Sequence, residues 1–346
     1  MHMADALLSP AVGGTMWAAS AGTIAYCSRK IRTGLDDHRV PLMGVLGAFL
    51  FAAQMINFTI PATGSSGHLG GGLLLAILLG PHAAFLTIAS VLMVQALFFA
   101  DGGLLALGCN IFNMGFFPAF VVYPLVYKPL VGANPTRSRL TAVTMLSAVL
   151  GLQLGPLAVV LETCFSGISS LPLNSFLLLM QPIHLAIGIV EGLVTVAIVL
   201  FVRQARPEIM QGAVDATPLG GRSLRGVVLA FLGAAVLTGG VLSWYASKNP
   251  DGLEWAIAKI SGKSELPGPE NGLHKILASL QERTAIFPDY DFKKTKAKAA
   301  KEEPKPDAAL HPGTSIAGIV GGFIALLFAF CCGHLLKKRK PATEQS

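Results

Sequence analysis

Apolar residues along this chain fall into long unbroken runs, not the alternating or three-to-four spacing of a soluble amphipathic fold. Runs near 11–28, 41–60, 81–99, 103–127, 140–162, 173–202, 224–245 and 315–336 approach the twenty or so residues that cross a bilayer as helix. A further run, 69–80, is short, because twelve residues make only ~18 Å of helix. Charge placement decides whether it counts as a span. If all nine runs cross, Arg29, Lys30, Arg32, Arg39, Lys128, Arg137, Arg139, Arg203, Arg206, Arg222, Arg225 and Lys337-Lys338-Arg339-Lys340 share one side. The short loops of the other side, 1–10, 61–68, 100–102 and 163–172, then hold no Lys or Arg. Cytoplasmic loops collect positive charge. Making 69–80 re-entrant would strand Lys128, Arg137 and Arg139 outside, so it is read as a span. Met1 is then extracytoplasmic and Ser346 cytoplasmic.

Composition agrees. Hydrophobic residues are 53% of 346 and charged residues 13%, about half the share usual in soluble domains. The net charge of +7 follows from topology. No Arg-rich face interleaved with aromatics points to nucleic acid, and the lipid bilayer is the expected surrounding. Residues 1–10 lack the basic start of a cleavable signal. Cys27, Cys109, Cys164, Cys331 and Cys332 show no metal-site spacing and read as small buried hydrophobes.

The expected fold class is an all-α polytopic membrane protein. Residues 1–206 form a seven-helix bundle and 207–223 a polar cytoplasmic linker. Residues 224–346 form a two-helix transmembrane hairpin around an extracytoplasmic loop, 246–313. Within that loop Leu253, Ile257 and Ile260, then Leu273, Ile276, Leu277 and Leu280, have helical spacing. Lys293 to Pro306 is charged low-complexity sequence with no means of burying a core.

The candidate chemistry begins at the chain start. In Met1-His2 the terminal amine, the His2 amide nitrogen and its imidazole can close two fused chelate rings. A second imidazole, His68 in the loop Thr63–Gly72, would complete a square of four nitrogens, which suits Ni(II) or Cu(II) better than Zn(II). Met1 is expected to be retained, since His2 is too large for methionine trimming. The loop glycines permit tight turns and close approach. Ser65, Ser66, Asn110, Asn113, His184 and Glu191 are candidates to orient the ligands, and interhelical hydrogen bonding is the plainer use of each. Glu162, Gln181, Gln95 and Asp101 belong to the same polar set. The remaining histidines, including His274, lack ligand spacing. On the second run Gly44, Ala48 and Ala52 make a small-residue stripe, a candidate docking face or ordinary packing. Two rival classes stay open. Gly64-Ser65-Ser66-Gly67 with His184 could be an intramembrane serine protease, which needs nucleophile and base at hydrogen-bond distance. A scaffold without ligand is the other.

Several segments then point to a family. Met1-His2-Met3-Ala4-Asp5, the Thr63–Gly71 loop, Ala106-Leu107-Gly108-Cys109-Asn110-Ile111-Phe112-Asn113-Met114-Gly115 and His184-Leu185-Ala186-Ile187-Gly188-Ile189-Val190-Glu191-Gly192 resemble the M-type substrate-binding component of nickel/cobalt energy-coupling-factor transporters. Pro250-Asp251-Gly252-Leu253-Glu254 resembles the signature of the small N-type (PDGLE) subunit, so the chain looks like an M–N fusion. The resemblance implies high-affinity uptake of a divalent transition metal, Ni(II) first and Co(II) as the alternative. It implies metal ligation by Met1, His2 and His68, without an organic cofactor. It also implies a transmembrane scaffold (T) subunit and a cytoplasmic ATPase pair as partners in a bacterial cytoplasmic membrane. The chain has no G-x-x-x-x-G-K-[ST] loop, so ATP hydrolysis is expected from the partners and the chain itself is no enzyme.

Overall fold

The computed structural model describes residues 2–31, 39–215, 224–269, 272–293 and 312–336. Met1, residues 216–223 of the expected linker, residues 294–306 of the charged tract and the terminal Lys337–Lys340 lie outside the described residues. In chain order, α1 (Pro10–Ile31) and α2 (Arg39–Gln54) lead into a hairpin of β1 (Phe58–Ile60) and β2 (Ser65–Gly67). Then come α3 (Gly72–Leu79), α4 (Pro81–Phe99) and α5 (Leu107–Val131). They are followed by α6 (Arg137–Ser166), α7 (Leu173–Ala205) and α8 (Pro207–Asp215). The C-terminal part supplies α9 (Arg225–Gly240), α10 (Gly252–Ser261), α11 (Gly272–Thr284) and α12 (Pro312–Leu336). Of these, α4 to α7 and α12 are long and apolar enough to cross a membrane, and α2 and α9 are apolar but shorter. The protein is a helical, multi-pass membrane protein.

Local sequence explains the element ends. Thr136 accepts from the Arg139 amide at the start of α6, and Gly167 closes it at φ +64°, the left-handed geometry glycine takes freely. Within α5, Phe112–Tyr127 winds with wider π-type turns around Pro118 and Pro124. Each proline lacks the N–H of a normal helical bond.

The short run 69–80 behaves differently from expectation. Its helix is α3 alone, eight wholly buried residues, roughly 12 Å long. Its two ends lie at different levels of α7 and α8. The Gly70 amide meets Glu191 well down α7, whereas a Cβ on Gly80 would lie 3.3 Å from the Ala213 carbonyl of α8. Strand β2 just before this run is buried, whereas Thr59, Pro61, Ala62 and Gly64 of the hairpin are exposed. Basic residues collect around α8: Lys128 donates to the Val214 carbonyl at 2.9 Å, Arg39 donates to that of Gly212, and Arg203 donates to Pro135 at 2.7 Å. Residues 207–215, expected as linker, are this helix, held by buried Ile209 and Ala213.

For the small-residue stripe on α2, the structure favours the packing alternative over the docking one. A Cβ on Gly44 would lie 3.1 Å from the Leu326 carbonyl and 3.2 Å from Phe330 Cβ, and one on Gly322 would lie 3.7 Å from the Ala48 carbonyl. Ala48 and Ala52 are buried. The chain's own α12 occupies this face, so Gly44, Ala48 and Ala52 are internal packing and present no open surface to a scaffold. Sequence spacing marks a close-approach face but not which helix fills it.

Helices α9 and α12 meet backbone to backbone at Gly239 and Gly318. Gly318→Leu should force them apart. The expected cost is about 1–3 kcal/mol, as for other overpacked cores, read as a lower melting temperature of the detergent-purified chain. An unchanged melting temperature would contradict the close crossing.

Candidate metal centre

The start of the chain is pinned into the bundle by its backbone. The Met3 amide donates to Asn110 Oδ1 at 2.8 Å, and the Met3 carbonyl accepts from the Gly103 amide at 2.9 Å and Asn110 Nδ2 at 3.3 Å. Asp5 accepts from the Ala106 amide at 2.9 Å. Met3, Leu7 and Leu8 are buried, which anchors the segment hydrophobically as well. His274, given no role from sequence, donates from Nε2 to the Leu8 carbonyl at 2.8 Å. This clamp delivers the His2 side chain to a site where 6% of it is exposed. There His2 Nδ1 lies 2.9 Å from Asp101 Oδ1, and the Tyr290 hydroxyl donates to the other oxygen of Asp101. Burial by itself would raise the Asp101 pKa. The His2 charge and hydrogen bond, with the Tyr290 hydroxyl, outweigh it and hold the carboxyl below the ordinary range.

His68 arrives from the other side on the hairpin. Glu191 accepts from the Gly70 amide at 2.7 Å and the Gly71 amide at 3.1 Å, so one buried carboxylate satisfies two consecutive donors. Gly71, at φ +74°, packs so closely on Leu50 that a side chain would collide. Gln54 donates to the Gly70 carbonyl at 3.0 Å and accepts from Gln95 at 3.0 Å. The C-terminal part then lies along the hairpin. The Ser66 amide donates to the Pro250 carbonyl at 2.8 Å, Ser66 Oγ to that of Asn249 at 2.8 Å, and Trp255 to that of Thr63 at 3.0 Å. Asp251 and Glu254 form a reciprocal cap at the start of α10, which fixes this strap at the helix N-terminus.

The two imidazoles meet. The rings of His2 and His68 are parallel within 3° with centroids 5.0 Å apart. Two imidazoles sharing one ion through bonds of about 2 Å place their centres roughly 4 to 6 Å apart. Ring rotation is thus enough to aim both at a common point. His68 Nδ1 lies 3.1 Å from the Leu69 carbonyl. A carbonyl only accepts, so Nδ1 carries the proton and Nε2 the lone pair.

Other sequence candidates separate by position. Asn110 and Glu191 hold the segments that carry His2 and His68, and Ser65 and Ser66 hydrogen-bond to backbone of the hairpin and strap. Asn113 donates to Glu162 at 2.8 Å, a pair between α5 and α6. His184 binds the Met180 carbonyl through Nδ1 at 2.8 Å, leaving Nε2 buried and unpartnered among the described residues. It borders a cavity of about 10 Å³ shared with His68 and Asp251, room for one water at most. Asp101, Asp251 and Tyr290 are additions that sequence did not assign. Asp101 stood in the polar set and Asp251 in a recognised signature, but nothing in spacing placed them together.

Above the imidazoles opens a cavity of about 460 Å³ reaching Asp5, Asp101, Glu254, Glu265 and Asp289. A second one, about 510 Å³, lies at the basic end beside Lys128 and Arg203, with no His, Asp or Glu in its lining among the described residues. Among the described residues no three His, Cys, Asp or Glu side chains converge as a ready cage.

A helical membrane bundle that buries two facing imidazoles under a carboxylate-lined cavity has the build of a cation-binding transport component. Residues 2–209 match the family model described as the cobalt uptake substrate-specific transmembrane region, CbiM, and residues 225–338 match the PDGLE domain. The chain belongs to the CbiM family, with a PDGLE part fused behind it. A protein of Archaeoglobus fulgidus bearing the fused name NikMN is 31% identical over 330 residues, 95% of this chain and 97% of its own. The fused nickel transport protein NikMN of Rhodobacter capsulatus is 30% identical over 225 residues, 61% of this chain and 64% of its own. The cobalt transport protein CbiM of Sorangium cellulosum is 32% identical over 224 residues, 61% of this chain and 94% of its own. A crystal structure described as a truncated transition metal transporter is similar with a TM-score of 0.53 and 31% identity, over 59% of this chain and 99% of that one. The chain is a metal-transport component and not an enzyme, with a metal as its cargo and membrane transporter subunits as its partners. The protease reading finds no support: Ser66 is engaged with Asn249, and no hydrogen bond joins it to His184 among the described residues.

Asn110 holds the segment that carries one of the imidazoles through two hydrogen bonds to Met3. Asn110→Ala should weaken metal affinity about 10- to 100-fold, as losses around a metal site commonly do. Isothermal titration of protein with an authentic Met1 checks this, with the melting temperature as control for folding. Full affinity would show that the segment is held without Asn110.

Proposed function

We propose that this chain is the substrate-binding component of an energy-coupling-factor transporter and captures Ni(II) with four nitrogens. These are the Met1 amine, the His2 amide nitrogen, the His2 imidazole and the His68 imidazole. The observation that carries the reading is the face-to-face approach of His2 and His68 at 5.0 Å, on segments anchored independently by Asn110 and Glu191. The absence of a third convergent side chain among the described residues favours main-chain donors, and a free amine with an adjacent amide is the natural source. Chelation through the His2 amide reaches Nδ1, the nitrogen that now faces Asp101, so ion and carboxylate compete for it. Planar nitrogen ligation favours Ni(II) over Co(II), because low-spin Ni(II) stabilises a deprotonated amide; Co(II) is the alternative cargo.

The gathering of Arg39, Lys128 and Arg203 around α8 supports a cytoplasmic position for that end, with the His2 end facing outward across the inner membrane. A site at the outward end, on a chain without a phosphate-binding loop, cannot release its ion inward unaided. The scaffold subunit and an ATPase pair are proposed to supply that work.

His2→Ala and His68→Ala each remove one of four donors. Each should abolish high-affinity Ni(II) binding, a loss of at least about 100-fold, while the purified chain keeps its melting temperature. Titrating both variants and the parent with Ni(II) and with Co(II) tests the ligands and ranks the metals. Near-normal affinity in either variant would overturn the assignment.

A further inference from the structure

The cavity above His2 and His68 has a charge pattern that four nitrogen ligands do not require. Six carboxylates line it: Asp5, Asp101, Asp251, Glu254, Glu265 and Asp289. No Lys or Arg lines it among the described residues, although the chain carries a net +7. Four of the six come from the C-terminal part. The acids form a gradient, with Glu265 and Asp289 exposed at the mouth and Asp251 and Glu254 half-buried. At the floor His2 is nearly enclosed, and its Nε2 is buried without a partner among the described residues.

The mouth is built at a cost. Asp289 and Tyr290 are consecutive non-glycine residues at φ +52° and +58°, a left-handed geometry that side chains disfavour. The surroundings hold them there. The Ile286 and Phe287 amides donate to the Phe98 carbonyl at 2.9 and 3.1 Å, and the Tyr290 ring stacks on Phe99 at 5.1 Å. The carboxylates also act on one another. Burial, then the charges of Asp101 and Glu265, raise the Asp289 pKa; burial, then Asp251, raise that of Glu254.

We propose that this cavity is an entry vestibule for hydrated divalent cations, in which Glu265, Asp289 and Glu254 of the C-terminal part draw the ion in and pass it to His2 and His68. The inference rests on the proposed ligand set at the floor. A cleft of one sign raises the local concentration and arrival rate of the opposite charge, by tenfold or more. Oxygen ligands bind hard and transition-metal cations alike, whereas the imidazoles below favour the transition metals. The vestibule supplies rate and the floor supplies selectivity.

Rapid-mixing kinetics with nickel chloride on the full chain test this. The double variant Glu265→Gln with Asp289→Asn changes charge at exposed positions while keeping shape. Its association rate should fall about tenfold in low salt. The gap should close near 1 M salt, where the screening length is about 3 Å, and the dissociation rate should not change. Millimolar Mg(II) should slow loading of the parent without displacing bound Ni(II). An unchanged association rate, or a slowdown that persists at 1 M salt or alters dissociation, would overturn the vestibule. Failure of the ligand set reads differently: His2→Ala would then bind Ni(II) normally whatever the double variant does.

Discussion

Irregular backbone buried among helices must find its hydrogen-bond partners inside the protein, because an unpaired buried N–H or C=O is costly. The stretch from Ser65 to Gly71 is largely such backbone, and the rest of the site follows from how it is satisfied. Glu191 takes the Gly70 and Gly71 amides, and Gln54 takes the Gly70 carbonyl. The Asn249–Asp251 strap and Trp255 satisfy the hairpin itself. Without those partners the loop that carries His68 has no stable place in the bundle.

The same constraint explains why the chain is two parts that fold against each other. The strap comes from the C-terminal part, so the hairpin beside His68 draws hydrogen bonds from both. Further along, the Gln281 amide reaches the Ala96 and Gly102 carbonyls and Tyr290 reaches Asp101, which steadies the turn facing His2. Beneath them α12 closes on Gly44, Gly47 and Ala48 of α2. Small residues supply this intimacy at the helix crossings, and aromatic stacking on Phe99 supplies it at the turn.

Features carried by local pattern were legible in the sequence. Five of the apolar runs became helices long enough to cross a membrane, the amphipathic spacing near Leu253 and Leu273 became α10 and α11, and His2 and His68 do meet. What failed depends on partners that no local pattern encodes. The Gly44-Ala48-Ala52 stripe announces a close neighbour, but only the fold shows that the neighbour is α12. The run 69–80 yields a helix of only eight residues, because its glycines end the helix at Gly71 and Gly80. Asp101 and Asp251 are 150 positions apart along the chain, so their shared cavity is a property of the fold alone. Asn110 and Glu191 were among many polar candidates, and only the structure shows that each grips the backbone of a ligand-bearing segment.

The central claim is that the fold aligns a chain terminus and a loop so that four nitrogens share one plane. The magnetic state of Ni(II) in the loaded chain, prepared with an authentic Met1, tests it most directly. Planar ligation by an amine, a deprotonated amide and two imidazoles makes Ni(II) low-spin and diamagnetic, with sharp proton resonances from His2 and His68. A paramagnetic, six-coordinate signal would contradict the account.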